Sequence, residues 1–125
     1  MNKLTDFLFF LNLSLLIIHE FDAIRRREWR LFLFLKDMEE ERAYQIFTLL
    51  HLPFLVLIFW FLTQATISSQ FSFQIIIDIF LMIHLGLHLL FRNHEHNLFS
   101  RKFSKGIIQA MAFLGFAHLC LSMIY

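Results

Sequence analysis

The chain has 125 residues, enough for one compact domain, and 58% of them are apolar, eighteen being Phe. That share exceeds the ~45–50% usual in soluble domains, and a mean hydropathy of +0.64 also points to a membrane protein. A net charge of +1 excludes a basic field for nucleic acid, and the single cysteine, Cys120, excludes an internal disulfide or a Cys-rich zinc motif.

The first predicted span covers about residues 4–24. Lys3 alone precedes this apolar run and no small-x-small site follows it, so it reads as a retained span rather than a cleaved leader. Its end carries His19, Glu20 and Asp22, followed by Arg25, Arg26 and Arg27, as expected of a helix reaching the edge of the hydrocarbon. Ala23 to Arg42 is charged and amphipathic, with Trp29 and Leu31–Leu35 between the arginines and Glu39-Glu40-Glu41. Two readings fit this segment: a helix lying on the bilayer surface with Trp29 as its interface anchor, or a plain extension of the flanking helices into water.

The second span is expected at about 44–66, with Pro53 two residues after His51 and a kink near that histidine. Gln64 to Gln74 is an uncharged polar link, short enough to make spans two and three antiparallel neighbours. The third span, about 73–91, carries Asp78, His84 and His88; Arg92-Asn93-His94-Glu95-His96 follows it, with His94 and His96 expected to face water. The fourth, about 106–125, carries His118. The fold class is therefore all-α: an integral membrane four-helix bundle in one domain, with an amphipathic cytoplasmic segment between helices 1 and 2.

Ten of the eleven Lys and Arg residues lie in the first and third links (25, 26, 27, 30, 36, 42, then 92, 101, 102, 105). The positive-inside rule then places both links in the cytoplasm and both termini outside. In this orientation His19, Glu20, Asp22, His51, His84 and His88 fall in one layer ~10–15 Å thick on the cytoplasmic side. Helical phase agrees. Asn12, His19, Asp22 and Arg26 form one stripe; Tyr44, Thr48 and His51 another; His84 and His88 are i,i+4; Gly115, His118 and Ser122 share a side.

Imidazole nitrogens and carboxylates gathered in this way suit a divalent metal such as zinc or iron. The expected ligands are His84 and His88 with His51 and either His19 or Asp22, and Glu20 is the expected base. Two other readings remain open: polar packing between helices, and proton transfer. His118 is expected to hydrogen-bond Ser122, and Asp78 to be neutral or paired with a histidine.

His19-Glu20-x-Asp22-Ala23, with Glu28-Trp29-Arg30 after it, resembles the opening motif of small bacterial multi-pass membrane families of unknown function, similar to the HXXEE proteins. Asp22 and Ala23 stand where a literal His-x-x-Glu-Glu has its two glutamates. His84-x-x-x-His88, Ser104, Gly106 and His118 are compatible with that pattern. The resemblance implies a bacterial cytoplasmic (inner) membrane location and a multi-pass architecture, and no activity.

The leading functional reading is a small membrane protein of unknown activity with a candidate His/carboxylate metal site on the cytoplasmic side, suited to hydrolytic or redox work on a lipid-phase substrate. The alternatives are a proton-linked transporter or channel subunit, and a non-catalytic subunit of a membrane complex that docks through the segment around Trp29. Expected partners are the lipid bilayer and a second copy or another membrane protein.

Overall fold

In the computed structural model, residues 3–94, 97 and 101–124 are described. They form four helices, α1 (Lys3–Arg25), α2 (Glu40–Thr63), α3 (Ile67–Leu90) and α4 (Lys102–Ser122), with a short 3-10 turn at Glu28–Leu31. No strand occurs among the described residues. All four helices are long and apolar enough to cross a membrane.

The helix boundaries differ from the expected spans where polar residues continue a helix: charged ones carry the starts of α2 and α4 back to Glu40 and Lys102, and uncharged ones carry that of α3. α3 begins at Ile67 rather than near Phe73 because Thr66 caps it, its hydroxyl accepting the Ser69 N–H at 3.3 Å. The link shrinks to Gln64–Thr66, and Gln70 donates its side-chain amide to the Ala65 carbonyl across it, at 3.2 Å. Inside the apolar stretches Ser14, Thr63 and Ser72 each return their hydroxyl to the carbonyl four residues earlier, which satisfies the group without a partner helix. Pro53 lies within α2, which runs on to Thr63.

α4 is the centre of the packing. It lies against both α1 and α3, whereas α2 touches mainly α3 and the 3-10 turn. Only 11% of the apolar window of α2 is buried, against 39% for α1 and α4, so α2 is the peripheral helix. The core is a column of Phe9, Leu16, Leu81 and Met111, each essentially inaccessible. At the end bearing the short link, Phe61 of α2 stacks on Phe73 of α3 at 4.9 Å.

The close approach of α4 depends on one glycine. A Cβ on Gly115 would come within 3.3 Å of both the Asn12 amide nitrogen on α1 and the Asp78 carbonyl oxygen on α3. The second of these is backbone and cannot rotate away. Gly115→Val should therefore force the three helices apart at the level of Asp78, costing about 1–3 kcal/mol. Thermal unfolding in detergent should show a lowered midpoint for Gly115→Val and none for Gly86→Ala, where a Cβ meets nothing within 4 Å.

Candidate metal centre

The connection from α1 to α2 builds one wall of the site. α1 ends at Arg25, and Arg27 then takes a left-handed conformation (φ 55°, ψ 47°) that costs a non-glycine residue about 1–3 kcal/mol. Ion pairs and hydrogen bonds hold the connection beyond it. Arg27 pairs with Glu40 at 3.1 Å, and Arg30 pairs with the same carboxylate while donating to the Lys36 and Met38 carbonyls at 2.6 and 2.9 Å. Trp29 is buried and packs on Tyr44 and Phe47 of α2. The segment is thus neither a surface helix nor a straight extension, and Trp29 is an internal plug rather than an interface anchor. The left-handed residue reverses the chain, and the arginine staples keep it folded over the helix ends.

That reversal points Glu28 inward. Among the described residues, ligand atoms of His19, Glu28, His84 and His88 all lie within 4.8 Å of one another. Nε2 of His84 is 2.8 Å from Nε2 of His19 and 3.1 Å from Nε2 of His88. The Glu28 carboxylate faces the same point, 3.6 Å from His19 Nε2 and 3.7 Å from His88 Nε2, beyond hydrogen-bonding distance. Burial, with the Glu20 and Asp22 carboxylates nearby, pushes the Glu28 acid up to about 8.

Three converging Nε2 atoms are hard to satisfy by hydrogen bonding alone. Each bears either one proton or one lone pair, so the single Nε2 of His84 cannot make good bonds to both neighbours. A cation would resolve the conflict by taking all three lone pairs. Tetrahedral zinc with Zn–N near 2.0–2.1 Å separates its nitrogens by about 3.3 Å, a few tenths more than the separations found here. The residues present therefore fit a divalent ion with three imidazoles and one carboxylate.

The remaining residues expected at the site lie elsewhere. His51 meets Glu20 instead of the cluster, Nε2 to Oε2 at 2.6 Å. Its other nitrogen, Nδ1, is 2.8 Å from the Phe47 carbonyl, which can only accept, so Nδ1 carries a proton. A second proton must then lie between His51 Nε2 and Glu20, as imidazolium with carboxylate or as imidazole with carboxylic acid. Asp22 is bound to Arg26 at 3.3 Å and is absent from the cluster. His94 sits in the turn after α3, its ring against Phe91, while Glu95 and His96 lie outside the described residues.

Cluster and dyad share a cavity of about 530 Å³ between α2, α3 and the α1–α2 connection. Glu20, Glu28, His51, His84 and His88 supply its polar wall, and the rest is Phe and Leu side chains such as Phe54, Phe80 and Leu87. Glu28 is the candidate ligand that the sequence does not announce. Its signal was its place in Glu28-Trp29-Arg30, just after the His19-Glu20-x-Asp22-Ala23 motif, but the chain reversal that turns it inward occurs at an arginine.

No curated protein and no solved structure matches the chain. A family model described as a family of unknown function, DUF6713, matches residues 5–125. His19, Glu28, His84 and His88, with the helices and the connection that hold them, all fall within that match, and the chain belongs to the DUF6713 family.

Proposed function

We infer that this chain is a four-span membrane protein that binds a divalent metal ion through His19, His84, His88 and Glu28, beside a cavity suited to an apolar molecule from the lipid phase. The observation that carries the reading is the meeting of three imidazole Nε2 atoms at one point, with a carboxylate facing it. Lipid surroundings are supported by the apolar side chains turned outward, among them Phe7, Phe21, Leu49, Trp60 and Phe113, which would form large exposed patches in water. The basic residues of the first and third links gather at the cluster's end of the bundle, which by the positive-inside rule is the cytoplasmic end, with both termini outside.

A divalent ion at this point would supply a Lewis acid at the cavity wall. The chain's own contribution is twofold. The Phe and Leu lining excludes water and favours an acyl or prenyl chain, and the Glu20–His51 pair holds a proton that it can release to, or take back from, a group in the cavity. A zinc ion would suit hydrolysis of a lipid-linked bond, and an iron ion a redox step; the metal identity separates the two. A continuous transport path has less support, because Leu16, Leu81 and Met111 fill the core between the cluster and the far end of the bundle.

Elemental analysis of the detergent-purified protein should find close to one zinc or iron per chain. The His84→Ala/His88→Ala variant should lose it while keeping its helical circular dichroism. Metal-free wild type, after reconstitution with either ion, would remove the reading. Glu20→Gln makes a separate test of the division of labour. It should keep the metal in full, because Glu20 is outside the cluster, while the short hydrogen bond from His51 Nε2 to the carboxyl is lost, which nitrogen-15 NMR of the ring reads.

A further inference from the structure

A second buried group of titratable side chains lies in the other half of the bundle. Asp78 on α3 and His118 on α4 are both fully inaccessible, and His118 Nδ1 is 2.5 Å from Asp78 Oδ2. The other ring nitrogen, Nε2, is 3.1 Å from the Ser122 hydroxyl, one turn further along α4 and partly exposed at the helix end. Asn12 on α1 stands beside Asp78, and the Phe9 ring lies 5.5 Å from the His118 ring. Among the described residues, the other titratable groups in this half of the bundle are Lys3 and Asp6 on α1 and Cys120 on α4; α2 has none there.

We propose that Ser122, His118 and Asp78 form a one-sided proton-binding site, loaded from the bundle end that carries the Gln64–Thr66 link. The chemistry balances in one step. A hydronium ion gives its proton to the Ser122 oxygen and leaves as water, the hydroxyl's original proton passes to the His118 Nε2 lone pair, and the imidazolium stays paired with the Asp78 carboxylate through Nδ1–H. The site gains one proton and one positive charge and loses nothing. The drive is electrostatic: neutral His118 with ionised Asp78 leaves a net negative charge in an apolar core, and the added proton cancels it. Unloading is the same step reversed. The proton goes no further inward, because Leu16, Leu81 and Met111 close the core beyond Asp78 and Asn12. This site rests on its own residues and requires nothing of the metal cluster.

The atom order Ser Oγ, His Nε2, His Nδ1, Asp carboxylate is also that of a hydrolytic triad. Such a triad needs N–H donors for the oxyanion. Next to Ser122 they are committed: the Met123 N–H bonds the Leu119 carbonyl at 3.2 Å and the Ile124 N–H bonds the Leu121 carbonyl at 3.1 Å. Relay chemistry needs no such donors, and the geometry favours it.

The test uses the full chain in lipid nanodiscs with nitrogen-15 histidine, His118→Gln assigning the signals. The exchange of the His118 ring protons with water is measured in the wild type and in Ser122→Val. The expected result is measurable exchange in the wild type, slowed by about tenfold or more in Ser122→Val, with the Nδ1–H still bonded to Asp78. Equal rates in the two proteins would overturn the relay, as would a wild-type ring that fails to exchange over hours and is therefore a static packing pair. Covalent labelling of Ser122 by a fluorophosphonate would overturn it in favour of a nucleophile.

Discussion

The approach of α4 to both α1 and α3 at Gly115 is the constraint from which the polar chemistry follows. It brings Asn12, Asp78 and His118 to one level, and it holds α1 and α3 on either side of the same helix. These two helices pack against α4 far more than against each other, so long side chains must cross the space between them. His19 from one side and His84 from the other do so, meeting nitrogen to nitrogen at 2.8 Å. A wider spacing would leave both imidazoles short of a common ion, and a closer one would leave no room for it.

The α1–α2 connection adds what the helices alone cannot supply. Three imidazoles from α1 and α3 bring no charge to balance a dication, and Glu28 brings one. Its delivery costs a left-handed arginine and the burial of an acid, which is held protonated up to about 8. The staples from Arg27 and Arg30 to Glu40 and to the Lys36 and Met38 carbonyls offset part of that cost and fix the fold of the connection. A bound cation would offset more, because it reverses the sign of the field at the carboxylate. Structure held at such expense around one inward-facing acid is a pattern found at functional sites.

Much of this was legible from residue spacing, and the exceptions have physical causes. Four apolar runs predict four helices, and the seven-three spacing of Asn12, His19 and Asp22 predicts the buried face of α1, where all three lie. The i,i+4 pair His84 and His88 predicts two nitrogens on one face, as the structure has them. What spacing could not give was azimuth between helices. His51 has the right depth for the cluster, but α2 sits at the periphery and brings it to Glu20 instead. Glu28 was hidden because a reversal at φ 55° normally announces itself by glycine or asparagine, and here the residue is Arg27. Trp29, amphipathic and beside arginines, looks like an interface residue until the reversal folds it against Tyr44 and Phe47.

On the proposed function, the peripheral position of α2 acquires a reason. A helix packed as tightly as α4 would close the space in front of His84 and His88, and no apolar molecule could reach them. Instead α2 is fastened near its two ends, by the Phe61–Phe73 stack near the short link and by the arginine staples at Glu40, and between them mainly by Phe47 against Trp29 and by the His51–Glu20 hydrogen bond. The cavity opens in that middle stretch, floored by the candidate ligands Glu28, His84 and His88 and flanked by the Glu20–His51 pair. The apolar layer of Leu16, Leu81 and Met111 isolates this half from the Asp78–His118 pair. Two buried polar groups can coexist in so small a bundle because the layer between them is apolar and contributes no charge to either.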